Sequence, residues 1–103
     1  MKLETKFTKG DWIIHSKSET TITTAKGRTI ATTATLQDGT EATYNENQAN
    51  AKLISRAPKL FNALKDAVEE IDTMILLTPT GKRRNELCEK SIQLTRILYN
   101  SIS

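Results

Sequence analysis

The sequence predicts an α+β protein: an N-terminal antiparallel β-meander of about four strands, then a two-helix antiparallel hairpin. Three observations predict it. Twelve of the sixteen threonines fall within the first 45 residues, and β-branched threonine favours strands. Asp38-Gly39 is a two-residue hairpin signal between extended stretches. From Leu53 onward, apolar residues return at steps of three and four, the period of an amphipathic helix.

The strands are expected at Trp12–Ser16, Thr20–Ala25, Arg28–Leu36 and Thr40–Tyr44. Lys17-Ser18-Glu19, Lys26-Gly27 and Asp38-Gly39 are the expected turns. In the third strand Ile30, Thr32, Ala34 and Leu36 point to one face, expected to be buried. Thr29, Ala31, Thr33 and Thr35 point to the other, which is either wet or an assembly edge.

Asn45-Glu46-Asn47-Gln48 reads as a capping box that opens the first helix. Leu53, Ala57, Leu60, Leu64, Ala67, Val68, Ile71 and Ile75 form its apolar stripe. Pro58 interrupts that stripe. Having no N–H, it cannot donate to the Ile54 carbonyl, and its ring crowds that carbonyl. The helix is therefore expected to kink near 54–58, or to break and restart with Pro58 in its first turn. Either outcome lets the first piece lie on the sheet while the second pairs with the last helix. Thr78 is expected to cap that last helix, with Pro79 at its first position. Leu87, Ser91, Leu94 and Leu98 form its stripe.

The chain of 103 residues reads as a single domain, with a sheet part over 10–44 and a helical part over 45–103. Its 37% hydrophobic and 5% aromatic content is lean for a self-sufficient core, so a homo-oligomer is expected. The outer part of the 49–70 face, with the last helix, is the expected subunit contact. The net charge of +3 is mild, and its excess sits after residue 72. That is too little to indicate nucleic acid binding by itself. One cysteine excludes an intramolecular disulfide and suits a reducing compartment. The N-terminal MKLETKFTKGDW lacks an apolar leader core, and no apolar run nears the ~20 residues of a membrane span. A cytoplasmic protein with no membrane partner is expected.

The residues give no catalytic constellation. His15 is the single histidine and Cys88 the single cysteine, on different elements and without an acidic partner at a recognisable spacing. His15 fits a strand face and Cys88 fits small core filler. A structural zinc site needs about four ligands, almost always nitrogen or sulfur. Pro79-Thr80-Gly81-Lys82 lacks the first glycine and the final Ser or Thr of a phosphate loop. No enzyme, cofactor or metal is expected.

Two groups are candidate binding residues. Lys82, Arg83 and Arg84 lie near the start of the last helix, where added cations favour an anion such as a nucleotide phosphate or an acidic protein patch. The plainer reading is a solvated turn whose cations pair with Glu86 or Glu89. Trp12 and Arg28, with Tyr44, could share a sheet surface able to stack and hold nucleic acid. The plainer reading makes Trp12 a core anchor.

Residues 49–68 carry a resemblance. Ala49, Asn50, Ala51, Leu53, Ile54, Ala57, Pro58, Leu60, Ala63 and Leu64 fit the pattern Ala-Asn-Ala-x-Leu-Ile-x-x-Ala-Pro with leucines at helical spacing. Trp12 and the strand Gly27-Arg28-Thr29-Ile30-Ala31 precede it. The stretch 10–70 resembles small uncharacterised proteins of phages and prophages. It departs from them at Ser55-Arg56, where an alanine pair is usual, and at Lys59, where an acidic residue often stands. The last helix lies outside the resemblance. Phage proteins of this size include anti-CRISPR proteins and sponges for immune nucleotide signals. The resemblance thus implies a non-enzymatic accessory binding protein that antagonises a host defence system, by blocking a host protein or sequestering a small anionic nucleotide signal. The alternative is a nucleic-acid-binding phage accessory protein.

Overall fold

A computed structural model describes residues 4–33 and 41–102 of the chain. Among the described residues the fold is α+β, with three strands followed by three helices. The strands β1 (Trp12–His15), β2 (Ser18–Thr24) and β3 (Thr29–Thr32) form an antiparallel sheet in the order β1-β2-β3. The helices are α1 (Glu41–Ser55), α2 (Ala57–Leu77) and α3 (Lys82–Ile102). The chain divides into two compact units. One spans Thr8–Leu60 and the other joins residues up to Phe7 with those from Phe61 on.

The first unit is the sheet with α1. β1 and β2 pair through Trp12↔Thr24, Ile13↔Thr23 and Ile14↔Ile22, and the register then shifts between Ile14 and His15. The Ser16-Lys17 turn closes where the His15 Nδ1 accepts the Lys17 N–H at 3.0 Å. Between β2 and β3 the Thr24 N–H donates to the Arg28 carbonyl at 2.8 Å. Gly27 takes φ +91° there, a left-handed conformation that glycine enters without a Cβ penalty.

The predicted alternation in β3 is corrected. The register shifts between Ile22 and Thr23 of β2, and both of those residues are buried. Ala31 lies opposite Ile22, and Thr33 is buried while Thr32 is exposed. The side carrying Ala31 and Thr33 is thus neither wet nor an assembly edge at Thr33. The Thr33 hydroxyl donates to the carbonyls of Thr20 at 3.3 Å and Asn47 at 3.1 Å, linking the end of β3 to α1. The expected Ala34, Thr35 and Leu36 positions and the Asp38-Gly39 turn lie outside the described residues.

The expected fourth strand, Thr40–Tyr44, is also corrected, since α1 already runs from Glu41. Asn45 therefore stands inside the helix and does not cap it. The reason is tertiary. Tyr44 and Gln48 are four residues apart, so one helical face carries both. The Tyr44 hydroxyl donates to the Glu19 carboxylate at 2.8 Å, and the Gln48 side-chain amide donates to the same oxygen. Strand propensity yields to that contact. Ala51, fully buried on α1, is small enough to let the helix approach the sheet, which it contacts along β1 and β2.

Pro58 produces the second of its two expected outcomes. α1 ends at Ser55 and α2 restarts at Ala57, with Pro58 as its second residue. The Arg56 N–H is shared between the carbonyls of Lys52 at 3.2 Å and Leu53 at 3.1 Å, a tightened last turn. The Arg56 carbonyl then accepts from Leu60 at 2.9 Å and starts the new ladder. The described residues thus form three helices where two were expected.

The second unit is a hairpin of α2 and α3. Val68, Leu87 and Leu98 are its buried apolar side chains. Ser91, also buried, donates its hydroxyl to Asp72 Oδ1 at 2.5 Å and pins the register of the two helices. Phe7 meets Phe61 edge to face, with centroids 5.3 Å apart. The cap of α3 is corrected too. Thr78 closes α2 instead, donating its hydroxyl to the Met74 carbonyl at 2.6 Å. The Gly81 carbonyl accepts the first α3 bond from Asn85 at 3.0 Å, so Gly81 is the cap.

Thr33→Val keeps the shape of the buried side chain and removes its donor. It is expected to destabilise the protein by about 1–2 kcal/mol in urea unfolding. Ser91→Ala, which strips a charged acceptor of its partner, is expected to cost about 1.5–3 kcal/mol by the same assay.

Candidate functional site

With Gly81 as the cap, Lys82, Arg83 and Arg84 become the first three residues of α3. No acidic residue shares that first turn. The nearest described carboxylate partner is Glu86, 4.0 Å from the Arg83 guanidinium and one turn on. Both side chains are more than half exposed, so this pair adds little to stability. Arg84 is half-buried, while Lys82 and Arg83 are exposed. The expected pairing thus occurs at Arg83 with Glu86.

Apolar surface adjoins these cations along the chain. Leu76 and Leu77 close α2 and are each 80% exposed. Four residues, Thr78 to Gly81, connect them to Lys82. This end of the hairpin therefore presents two leucines beside three cations. The leucines were read in the sequence only as part of an apolar run. Their signal was available: Leu76 and Leu77 lie off the three-four stripe of Val68, Ile71 and Ile75.

The other candidates lie in the sheet unit. Trp12 pairs with Thr24, and the Thr24 N–H donates to the Arg28 carbonyl. Trp12 and Arg28 thus flank the end of β2, two strands apart, or roughly 10 Å. Trp12 is half-buried, and its indole N–H donates to the Thr8 carbonyl at 3.0 Å. That bond holds the chain leading into β1 and gives Trp12 an anchoring role. Arg28 is exposed. Tyr44 does not join them. It is held by Glu19, near the opposite end of β2. The expected Trp12–Arg28–Tyr44 surface is thereby reduced to Trp12 and Arg28.

The Tyr44 phenol is raised above the ordinary tyrosine value of 10.0, first by its hydrogen bond to Glu19 and then by that carboxylate's charge. The raised value stabilises the fold below the unfolded-state value, and this contribution is lost as pH climbs through the folded-state one.

His15 ends β1 with its Nδ1 engaged by Lys17, and Cys88 is a half-buried free thiol on α3. They belong to different compact units. Among the described residues, no group of three or more His, Cys, Asp or Glu is placed to hold a metal ion. On α3, Ser91, Ile92, Thr95, Arg96, Tyr99 and Asn100 line a shallow open groove. Among the described residues, no helix is long and apolar enough to cross a membrane.

These features define a small α+β protein whose prominent surface chemistry is cationic and apolar. The family model described as Salmonella phage P22 protein Y8K6 matches residues 1–95, and the chain belongs to that phage protein family. The match takes in the sheet, α1, α2 and α3 as far as residue 95, a longer stretch than 10–70. No curated protein and no solved structure matches the chain.

In an alkaline spectrophotometric titration of a Tyr99→Phe background, Tyr44 is expected to ionise above the ordinary tyrosine value. Adding Glu19→Gln is expected to bring that midpoint back down towards it.

Proposed function

We propose that this phage protein is a non-enzymatic accessory binding protein. It acts inside the host cell by occupying an acidic surface on a host protein, most directly a component of a defence system. The observation that supports this reading is the pairing of Lys82, Arg83 and Arg84 with exposed Leu76 and Leu77 at one end of the α2–α3 hairpin. Cations alone suit any anion. Two exposed leucines beside them favour a macromolecular target that offers carboxylates with an apolar pocket, because burying each leucine contributes roughly 1.5–3 kcal/mol. A small nucleotide signal would use the cations and leave the leucines wet.

Nucleic acid binding is the weaker alternative. Single-strand binding needs aromatic faces along a basic groove. Phe7 and Phe61 pack on each other, Tyr44 is held by Glu19, and Trp12 by Thr8.

The test is native mass spectrometry of the protein purified from host cells that express candidate defence systems. A copurifying host protein is expected. Its recovery should fall at least tenfold with Arg83→Glu/Arg84→Glu and with Leu76→Ser/Leu77→Ser, in variants whose circular dichroism is unchanged. Copurification of a small anionic ligand would replace the blocking reading with sequestration. Recovery of nucleic acid, lost steeply with salt, would replace both.

A further inference from the structure

We infer that the α2–α3 hairpin is half of a four-helix bundle, completed by a second copy of this chain. The inference goes beyond the binding role proposed above and does not depend on it. It rests on a second three-four set on each helix, apolar throughout on α2 and interrupted by one lysine on α3.

On α2, Phe61, Leu64, Val68, Ile71 and Ile75 recur at steps of three and four. Val68 is fully buried and the others half-buried. On α3, Leu87, Ser91, Leu94 and Leu98 do the same, with Leu94 half-buried and the rest buried. These sets face each other. One residue before Val68 and Ile75 stand Ala67 and Met74; one residue before Ser91 and Leu98 stand Lys90 and Ile97. With Leu64 and Ile71 on α2, and Leu87 and Leu94 on α3, these residues make a second three-four set on each helix. Met74 is 40% exposed and Ile97 52%.

The two second sets lie on one side of the hairpin. Each residue turns a right-handed helix by roughly 100°, so both sets are displaced from the contact line in the same angular sense. Because α2 and α3 run antiparallel, the same sense on each brings both to the same side. A helix that is apolar towards two directions has two neighbours to bury against, and among the described residues of its unit α2 has one neighbouring helix. The opposite side differs. There α3 offers Ile92, Thr95 and Tyr99 along the groove, while α2 offers Lys65 and Glu69, then Asp72, which Ser91 engages, and apolar Leu76 only at its end. On α2 that side is therefore the more charged of the two.

Charge identifies the occupant. α2 carries two lysines against four carboxylates, net −2, and α3 carries five cations against two glutamates, net +3. Glu70 flanks the second set of α2, and Arg83 and Lys90 lie along that of α3. A two-fold axis that sets each α2 beside the other copy's α3 brings opposite charges together. Setting α2 on α2 would oppose like charges. The helices are also matched, with 21 residues each, so two hairpins align without overhang.

Sedimentation velocity of the full chain, from low micromolar to high micromolar concentration, tests this. A concentration-dependent dimer is expected. Met74→Lys and Ile97→Lys, made singly, should raise its dissociation constant at least tenfold with helical circular dichroism unchanged, since each side chain already reaches solvent. Ile92→Lys and Tyr99→Ser, on the opposite side, should leave it unchanged. Should either face variant lose helicity, exposed Glu70→Lys replaces it and should also weaken the dimer. A monomer at every concentration would overturn the inference. So would a dimer indifferent to Met74→Lys, Ile97→Lys and Glu70→Lys, or one lost through the Ile92 and Tyr99 variants.

Discussion

One missing hydrogen bond governs the helical half of this protein. Pro58 has no N–H to give the Ile54 carbonyl, so the helix that opens at Glu41 stops at Ser55 and a new one starts at Ala57. The Arg56 N–H, shared between Lys52 and Leu53, tightens the old helix, and its carbonyl begins the new one. Within its own unit α1 lies along β1 and β2 and buries Ala51 there, with Tyr44 and Gln48 on Glu19 and the Asn47 carbonyl on Thr33.

That break explains how so lean a sequence makes two compact units. The sheet unit draws on polar contacts as much as on apolar ones. Thr23, Thr33, Asn47 and Ser55 are buried beside Ile22 and Ala51. The Thr33 hydroxyl is satisfied by two carbonyls, as a buried donor must be. The hairpin unit uses the same device once, where Ser91 meets Asp72 among leucines and valine.

The elements most legible in the sequence were those set by local chemistry. β1, β2, the turn at Gly27 and the long periodic helices follow from threonine content, from glycine's conformational freedom and from three-four spacing. The interruption at Pro58 was equally local. What the sequence did not disclose was tertiary. Thr40–Tyr44 has strand-like residues, yet α1 runs from Glu41, with Tyr44 held by Glu19 more than twenty residues away. The buried side of β3 was misassigned because the register shift between Ile22 and Thr23 turns the alternation, and a bulge leaves no signature in composition. Thr78-Pro79 looked like a helix start, but the Thr78 hydroxyl closes α2 and leaves Gly81 to open α3. The cations of the candidate site were legible as a run. Their apolar companions, Leu76 and Leu77, were read only as part of an apolar run, although their places off the stripe of Val68, Ile71 and Ile75 mark them as exposed.

The central claim is that the absent Pro58 donor ends α1 at Ser55 and makes α2 a separate helix. Pro58→Ala, followed by backbone chemical shifts and amide exchange, tests it most directly. The account predicts that Ser55–Ala57 gain helical shifts and the residue-58 amide becomes protected. An unchanged break at Ser55–Ala57 would contradict it. The break would then belong to the packing of α1 on the sheet and not to the proline.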